Sequence, residues 1–510
     1  MGRKILFITA DQMRHDALGA NGGRIARTPV VDALAHGGIR YTRAHTQSVV
    51  CMPARSTMLT SQYPRTHGVW MNGVPLPADA PSVATVLHDA GYRTALIGKA
   101  HFEPHFDPEL RFYENRMARV HEHGPHRGFD HMALATHAPV VMHYGRWMIE
   151  QHRDEIGGFC PNIDGTGQVY GGGGGDTGAV QVKHNPVPRE HYHTDWVANQ
   201  TIAFLDTLAP DADWFVWMSF PDPHHPWDPP QSEVRRVPWR DLDVPAGFPG
   251  SRERAETILR DKPSQWLDYY VNRRKSNFET PPSFVPAEMT TDQLREIDAM
   301  IHIENELIDE AVGRVMTRIE ERGWTRDTDV FFTSDHGELQ GDFGLLFKGP
   351  YHVDALMRVP FLWRPAPNAA LAPAVVDAPV GHLDLAPTFC AIANVAIPEW
   401  MQGRALPADA ADATRQKRER VLTEWDSESD EMSVHLRTIH RDGFTCTVVE
   451  KSRTFDGTEG ELYDHREDPR QWRNLWNDPA RRSLRDDLVA DLRDSLPPES
   501  AVRRSVVASV

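Results

Sequence analysis

The segment Ile5-Leu6-Phe7-Ile8-Thr9 is a short, continuous apolar run that ends at Ala10-Asp11-Gln12. Because its apolar residues do not alternate with polar ones, it predicts a strand buried on both faces of a parallel sheet. Similar runs recur along the chain and alternate with helical patterns. These further predicted strands span residues 39–44, 93–97, 214–220 and 330–333. The alternation predicts an α/β fold built on a doubly wound, mostly parallel sheet.

The longest helical pattern begins near residue 290. Thr290 and Gln293 have the spacing of a capping box, and Gly323 predicts the end of the helix. Between these limits one apolar face is formed by Leu294, Ile297, Ile301, Ile308, Val312, Val315 and Ile319.

The pattern changes after about residue 407, where three successive antiparallel strands and a helix are predicted. We therefore expect a larger α/β domain over residues 1–407 and a smaller C-terminal α+β domain over residues 408–510. Within the larger domain, residues 102–190 and 227–286 show little regular pattern and are predicted to be irregular insertions. Long irregular segments in compact domains are usually functional or mobile.

Composition limits the class of protein. The chain has 510 residues, a formal net charge of −17 and four widely spaced cysteines. The charge argues against non-specific nucleic-acid binding but leaves room for a small anionic substrate in a locally basic pocket. The cysteine spacing matches neither a zinc site nor a disulfide framework. With no evident signal peptide or membrane span, the expected location is cytoplasmic.

Polar clusters follow the carboxyl ends of four predicted strands. The clusters are Asp11, Lys99 with His101, His224, and Asp335 with His336. In open α/β sheets the functional site lies outside these strand ends, so the clusters are expected to converge.

Asp11, Asp335 and His336 form a candidate metal set, which Gln12 extends. Carboxylate and amide oxygens suit hard divalent cations, and the histidine nitrogen favours Mn²⁺ or another transition-metal ion over Ca²⁺. The alternative is that Asp11 and Asp335 only cap adjoining turns.

Cys51 lies at the predicted start of a helix that contains Pro53, and Arg55 follows one turn later. Free N–H groups and the dipole at a helix N-terminus favour an anion, and Arg55 adds a fixed positive charge. This arrangement suits a reactive oxygen or sulfur group that handles an oxyanion.

Candidate groups for oxyanion binding and proton transfer are Arg55, Lys99, His101, His224 and Lys348. Taken singly, His224 is better explained as an ordinary surface or core histidine, and Lys348 as a solvated loop lysine. No role is assigned to the histidines of the first insertion region: His126, His131, His137, His143, His184, His191 and His193.

The segment Cys51-Met52-Pro53-Ala54-Arg55 resembles the Cys-x-Pro-x-Arg signature of type I sulfatases in the alkaline phosphatase superfamily. Other blocks typical of that family occur in order along nearly the whole chain. They are Ala10-Asp11-Gln12, Gly98-Lys99-Ala100-His101, Pro223-His224-His225-Pro226, Thr333-Ser334-Asp335-His336-Gly337, Lys348-Gly349-Pro350-Tyr351 and Glu461-Leu462-Tyr463-Asp464.

The resemblance implies an alkaline-phosphatase-like fold and a formylglycine at position 51, made from Cys51 by a formylglycine-generating enzyme. The hydrated aldehyde, activated by Ca²⁺ or Mn²⁺, would attack sulfur and expel an alcohol. Loss of a proton from its second hydroxyl would then eliminate sulfate and restore the aldehyde.

The resemblance also implies residue roles. Asp11, Gln12, Asp335, His336 and the group at position 51 would hold the metal. Arg55 and Lys99 would stabilise the diol oxygen, and His101 would act as the base for elimination. His224 and Lys348 would bind sulfate oxygens, with His224 also protonating the leaving group, and Asn72 would add a further substrate contact.

Two features depart from the common sulfatase pattern. Many sulfatases have paired aspartates where this chain has Asp11-Gln12, and often an asparagine in place of His336. Both features resemble the phosphonate monoester hydrolase and phosphodiesterase branch, which also uses formylglycine. Lys99 and His101, in contrast, resemble the sulfatase pair.

We therefore expect hydrolysis of the sulfate ester of a small aryl, alkyl or sugar substrate. The alternatives are a phosphonate monoester or phosphodiester hydrolase, and a non-catalytic metal-binding protein with an unmodified cysteine. The two insertions are predicted to set the leaving-group specificity. Neither a membrane nor a nucleic-acid partner is expected, and a homodimer or homotetramer is compatible with the sequence.

Overall fold

The computed structural model describes residues 3–107, 109–160, 174–274, 280–281, 284–428 and 432–508. Within these ranges the large sheet has eight strands: β1 Lys4–Ala10, β2 Ile39–His45, β3 Arg93–Gly98, β4 His131–Leu134, β5 Trp214–Ser219, β6 Thr328–Ser334, β7 Phe361–Arg364 and β8 Ala374–Gly381. Their order is β4-β3-β5-β1-β6-β7-β2-β8, and β7 runs antiparallel to both of its neighbours. The predicted mostly parallel, doubly wound sheet is confirmed.

A second, smaller sheet follows later in the chain. Its antiparallel strands are β9 Arg420–Glu428, β10 Ser433–Arg441, β11 Phe444–Val449 and β12 Gly460–Asp464. They fall inside the range predicted for the C-terminal α+β domain. The domain boundary near residue 407 stays a prediction.

The described α-helices lie between and after the strands of the two sheets. They are α1 Pro29–His36, α2 Cys51–Thr60, α3 Pro64–His67, α4 Val83–Asp89, α5 Tyr113–Arg119, α6 Met142–Gln151, α7 His193–Asp206, α8 Arg252–Arg260, α9 Gln265–Tyr270, α10 Thr291–Glu321, α11 Asp354–Met357, α12 Leu385–Ile392, α13 Ala410–Arg415 and α14 Arg482–Ser495. In the described residues, no helix has the length and apolar content needed to span a bilayer.

Strand β1 lies in the middle of the large sheet, and its side chains are buried on both faces. Ile5 and Phe7 join one apolar cluster, while Leu6 and Ile8 join the cluster on the opposite side. This alternation explains why the strand reads as a continuous apolar run.

The long predicted helix is also present, as α10. Thr290 Oγ1 accepts the backbone N–H of Gln293 at 3.2 Å, and Gln293 Oε1 accepts the backbone N–H of Thr290 at 3.0 Å. The capping box therefore forms as predicted, and the apolar face of α10 lies in one of the two clusters beside the large sheet.

The prediction of two irregular insertions is corrected by the structure. Residues 102–190 contain α5, β4 and α6, and residues 227–286 contain α8 and α9. These elements are short, and β4 has only four residues, so they give weak periodic patterns. β7 and β8 were not predicted either. Residues 161–173 of the first segment lie outside the described residues.

The turn after β3 requires glycine at position 98. Gly98 has φ +104°, and a Cβ on it would lie 1.7 Å from the carbonyl oxygen of Ser219, on the neighbouring strand. The turn brings the next residue, Lys99, to the edge of the sheet.

Replacing Gly98 by alanine is therefore expected to lower the free energy of unfolding by more than about 3 kcal/mol, because backbone strain and a backbone clash add. Gly91→Ala is the matched control, since Gly91 has φ +93° but no atom within 4 Å of its added Cβ. We expect the control to cost about 1 kcal/mol in urea unfolding. An equal loss of unfolding free energy in Gly98→Ala and Gly91→Ala would contradict the expected backbone clash at position 98.

Candidate active site

The carboxyl ends of four neighbouring parallel strands, β3, β5, β1 and β6, meet at one edge of the large sheet. Asp11 follows β1 and donates its backbone N–H to the carbonyl of Asp222, beyond β5, at 2.9 Å. Asp335 follows β6 and donates its N–H to the carbonyl of Ala10 at 3.3 Å. The structure thus brings these strand ends together, as expected for an open α/β sheet.

Cys51 is the first residue of α2, and its side chain is fully buried. Its Sγ lies 3.2 Å from His336 Nε2 and 3.7 Å from Asp11 Oδ1. Burial, together with the Asp11 carboxylate, raises the pKa of the thiol to about 12. Unmodified Cys51 is therefore a protonated thiol at neutral pH in this environment, and such a thiol is a weak nucleophile.

Four buried side chains form a compact group of possible metal ligands. They are Asp11, Cys51, Asp335 and His336. One ligand atom from each of them lies within 4.8 Å of the ligand atoms of the other three. His336 Nδ1 lies 2.9 Å from the carbonyl oxygen of Gly337, which leaves Nε2 facing the group. Two carboxylates and an imidazole suit a divalent cation, so these residues fit the metal that the resemblance implies.

Gln12 borders this group and has φ +67°. Its side-chain Nε2 donates to the carboxylate of Glu338, and its Oε1 accepts from Lys348 Nζ at 2.9 Å. Glu338 is buried and also accepts the backbone N–H of Gln340 at 3.1 Å. Glu338 thus fixes the orientation of the Gln12 amide. The sequence analysis did not single out Glu338, although it follows the Asp335-His336 block by only two residues.

Arg55 is fully buried next to the carboxylates of Asp335 and Asp11. Its Nε donates to Asp335 Oδ2 at 2.8 Å, and its Nη1 donates to the carbonyl of Lys99 at 2.7 Å and to Ser219 Oγ at 2.8 Å. Its Nη2 lies 3.6 Å from Asp11 Oδ2. The guanidinium therefore connects the ends of β1, β3, β5 and β6.

Lys99 forms a buried ion pair with Asp11 Oδ2, and its Nζ lies 3.1 Å from His137 Nε2. His137 Nε2 is also 3.4 Å from Asp11 Oδ2, and its ring stacks on that of His224 at a centroid distance of 3.9 Å. Burial alone would raise the pKa of Asp11, but Lys99, His224, His137 and Arg55 together hold it well below its usual range. Asp11 is therefore ionised at neutral pH.

His137 is a site residue that the sequence analysis left without a role. Its loop follows β4, the edge strand that was not predicted. A usable signal was present, because the apolar run Met132-Ala133-Leu134-Ala135 directly precedes Thr136-His137. This is the same arrangement of a strand followed by a polar residue that identified Asp11.

His101 is buried beside the site and has φ +57°. Its ring stacks on His105 at a centroid distance of 3.7 Å, and neither ring nitrogen has a hydrogen-bond partner in the described part of the chain. Burial, with His105 and Lys99, holds its pKa well below the usual value. The ring is therefore neutral at physiological pH and able to accept a proton.

His224 and Lys348 lie near Gln12, whose Oε1 accepts from Lys348 Nζ. Lys348 Nζ is 2.9 Å from His224 Nε2. Burial, followed by His137 and Lys348, lowers the pKa of His224 well below its usual value. The pair places one ammonium and one neutral imidazole at the site.

Asn72 supports the start of α2. Its Oδ1 accepts the backbone N–H of Met52 at 3.0 Å, and its side chain is almost fully buried. The contact satisfies one of the free N–H groups at the helix N-terminus, next to Cys51. The structure thus places Asn72 beside the predicted nucleophile.

Comparison with protein families gives two matches. A family model described as "Sulfatase" matches residues 3–395. A second model, described as "N-sulphoglucosamine sulphohydrolase, C-terminal", matches residues 341–496.

Individual relatives are similar over most of their length. The "Uncharacterized sulfatase YidJ" of Escherichia coli (strain K12) is 26% identical over 508 residues, covering 96% of this chain and 87% of the relative. An arylsulfatase of Clostridium perfringens is 27% identical over 419 residues, covering 80% and 78%. The solved phosphonate monoester hydrolase of Agrobacterium radiobacter has a TM-score of 0.78 at 24% identity, with coverage of 96% and 95%, and shows that the fold is shared.

Proposed function

The chain belongs to the sulfatase family of the alkaline phosphatase superfamily, and from this premise we propose that it hydrolyses the sulfate ester of a small organic molecule, using a formylglycine formed from Cys51. The observation that carries the proposal is the position of Cys51. Its Sγ lies at the first turn of α2, against Asp11 and His336, where an oxygen nucleophile would meet a divalent cation. Sulfate ester hydrolysis is also what the names of its relatives indicate.

The surroundings of Cys51 favour an oxygen nucleophile over a thiolate. The thiol is buried against a carboxylate, which keeps it protonated. When present, a cation of the Ca²⁺ or Mn²⁺ class would lower the pKa of a neighbouring hydroxyl, and the hydrated aldehyde would supply that hydroxyl. Asp11, Asp335, His336 and Gln12 would hold the cation. Conversion of Cys51 requires a formylglycine-generating enzyme, which is part of the proposal.

The basic groups around the nucleophile would bind and orient the sulfate. Lys99 and Lys348 both reach the site, each in contact with a histidine, His137 and His224 respectively. Arg55 donates a hydrogen bond to the Asp335 carboxylate and so holds it in place. Buried cations stabilise the negative charge that develops on the transferred group more strongly than the same cations in water.

Two neutral histidines are assigned to proton transfer. His224 would donate a proton to the leaving oxygen, for which it must first be protonated, and Lys348 disfavours that charge until an anionic substrate offsets it. His101, whose ring nitrogens have no hydrogen-bond partner among the described residues, would take a proton as sulfate departs. We add His137 to the proposed set, because it contacts Asp11, Lys99 and His224 together.

Phosphonate monoester or phosphodiester hydrolysis is the second candidate. It is favoured by Gln12 and His336, where many sulfatases have Asp and Asn, and the shared fold with a phosphonate monoester hydrolase is compatible with it. Lys99 and His101 favour the sulfate ester. The two substrates have similar shapes and differ mainly in the charge of the transition state.

Kinetic comparison of 4-nitrophenyl sulfate with a 4-nitrophenyl phosphonate monoester tests the choice. Enzyme with a verified aldehyde at position 51 and a defined metal is expected to show a kcat/KM at least about 100-fold higher for the sulfate, which corresponds to about 2.7 kcal/mol of transition-state discrimination. Lys99→Met should reduce sulfate turnover, whereas Lys451→Met, at an exposed position distant in sequence, is the control for lost charge. A preference for the phosphorus substrate would overturn the sulfatase proposal.

Other features remain predictions. We propose that the segments 102–190 and 227–286 set the specificity for the alcohol, that the small domain begins near residue 408, and that the enzyme acts in the cytoplasm. A homodimeric or homotetrameric assembly is compatible with the chain. Exchange of either segment with an unchanged substrate profile would count against the assignment of specificity.

A further inference from the structure

A second group of metal-ligating side chains lies between the two sheets, away from Cys51. His45 ends β2 in the large sheet, and Asp354 begins α11. His440 lies on β10 in the small sheet, and His465 follows the last residue of β12. One ligand atom from each of His45, Asp354 and His440 lies within 4.8 Å of the other two. The group shares no residue with the proposed catalytic metal set.

The carboxylate of Asp354 is at the centre of this group. Its Oδ1 lies 3.5 Å from His45 Nε2, and its Oδ2 lies 3.6 Å from His465 Nδ1. Ligands of a tetrahedral Zn²⁺ ion are separated by about 3.3 Å, because each bond is about 2.0–2.1 Å long. Both separations are therefore within a few tenths of an ångström of those in a zinc site.

A single hydroxyl orients two of the histidines. Thr445 Oγ1 lies 3.0 Å from His440 Nδ1 and 2.6 Å from His465 Nε2. When Oγ1 accepts an N–H from each ring, the opposite nitrogens, His440 Nε2 and His465 Nδ1, are unprotonated and available for a metal. Metal-binding histidines are commonly held through their other ring nitrogen in this way.

Buried polar atoms of the group lack hydrogen bonds. In the described part of the chain, His45 Nδ1 and His440 Nε2 have no hydrogen-bond partner, whereas Asp354 Oδ1 pairs with His45 Nε2. His45 and His440 are 6% and 3% exposed, so water does not readily compensate for the missing bonds. The two rings are stacked at 3.8 Å with 18° between their planes, and binding would require at least one ring to turn its edge toward Asp354.

We propose that His45, Asp354, His440 and His465 form a Zn²⁺ site that joins the small sheet to the large one. Three imidazoles and one carboxylate favour Zn²⁺ over Ca²⁺ or Mg²⁺, which prefer oxygen ligands. The ion is structural, because four protein ligands fill a tetrahedral shell and leave no position for substrate. Arg358 Nη1 lies 3.9 Å from Asp354 Oδ2 and weakens the attraction for the cation.

Zinc content and thermal stability test this site in the full-length protein. After equilibrium dialysis against zinc at a free concentration on the order of 1 µM, wild type should retain one more equivalent of zinc than His440→Gln, with at least about 100-fold weaker binding in the variant. His465→Gln should also lose this equivalent, and its side chain is 22% exposed, so it is the variant less prone to misfold. The exposed His36→Gln is the control and should retain it.

Two further measurements separate this site from the catalytic one. Thr445→Val should weaken zinc binding about tenfold through loss of ring orientation. His336→Gln, which changes the proposed catalytic metal set, should still retain the zinc ion of the proposed His440 site. Added zinc should raise the Tm of wild type and of His36→Gln, but not that of His465→Gln. Equal zinc content in wild type, His440→Gln and His465→Gln would overturn the proposal.

Discussion

Replacing Cys51 by alanine is expected to lower kcat/KM for an aryl sulfate by at least about 10⁴-fold, because removal of a covalent nucleophile leaves only binding and electrostatic stabilisation. The side chain is small, fully buried and located at the first residue of α2. Alanine fits the same space and a helix start, so the fold should persist. Steady-state kinetics with circular dichroism on the same sample would measure both effects.

Cys390→Ala is the matched control, since Cys390 is also a buried helical cysteine but lies in α12, within the apolar core. We expect it to retain activity within a few-fold of wild type. Residual activity of Cys51→Ala close to that of Cys390→Ala would refute the nucleophile assignment.

Mass spectrometry of the peptide that contains position 51 distinguishes the proposed enzyme from a metal-binding protein without turnover. An aldehyde in place of the thiol is expected in active preparations, with specific activity proportional to the aldehyde fraction. A fully retained thiol in protein with full sulfatase activity would contradict the formylglycine mechanism. A retained thiol without activity would instead favour the non-catalytic alternative.

Replacing Arg55 by methionine is expected to destabilise the protein by about 3–5 kcal/mol and to abolish measurable turnover, because it leaves buried carboxylates without their counter-ion. Arg55 is fully buried and is bonded to Asp335, Ser219 and the carbonyl of Lys99. Its loss would release the strand ends that hold the site. Urea unfolding and kcat/KM on the same preparation measure the two consequences.

Arg260→Met is the control for the loss of an arginine–carboxylate pair. Arg260 contacts Glu256 at 2.6 Å on the surface of α8, and its side chain is 61% exposed. Exposed pairs contribute about 0–1 kcal/mol, so this variant should behave as wild type. Arg55→Lys should recover part of the stability but not the bonds of the planar guanidinium. A free energy of unfolding for Arg55→Met within about 1 kcal/mol of wild type would contradict the proposed role.

Elements with strong local patterns were predicted from the sequence. β1 reads as a continuous apolar run because both of its faces are buried, and α10 combines a capping box with a long apolar face. The elements that were missed, β4, β7, α5 and α6 among them, are short or are interrupted by histidine and glycine. β4 is stabilised by pairing with β3, and β7 by pairing with β2 and β6, which no local window records.

The positions of Asp11, Lys99 and Asp335 after strands, and the order of the sequence blocks, predicted most of the residues of the candidate site, but not His137 or Glu338. That information is local, because polar residues directly after buried strands stand out in the sequence. The network among them was decided only by the tertiary structure. Arg55 links four strand ends, Glu338 orients Gln12, and His137 reaches Asp11 across 126 positions of the chain.

The same limit applies to the proposed zinc site. His45 ends a strand of the large sheet and His465 follows the last strand of the small one, far apart in sequence, so their spacing contains no ligand motif. Sequence alone predicted the candidate nucleophile, the strands β1, β2, β3, β5 and β6 of the large sheet, and the family resemblance. Only the packing of the small sheet against the large one brought the imidazoles and the carboxylate of this site together. Such contacts depend on how distant segments of the chain pack, and local residue preference does not record them.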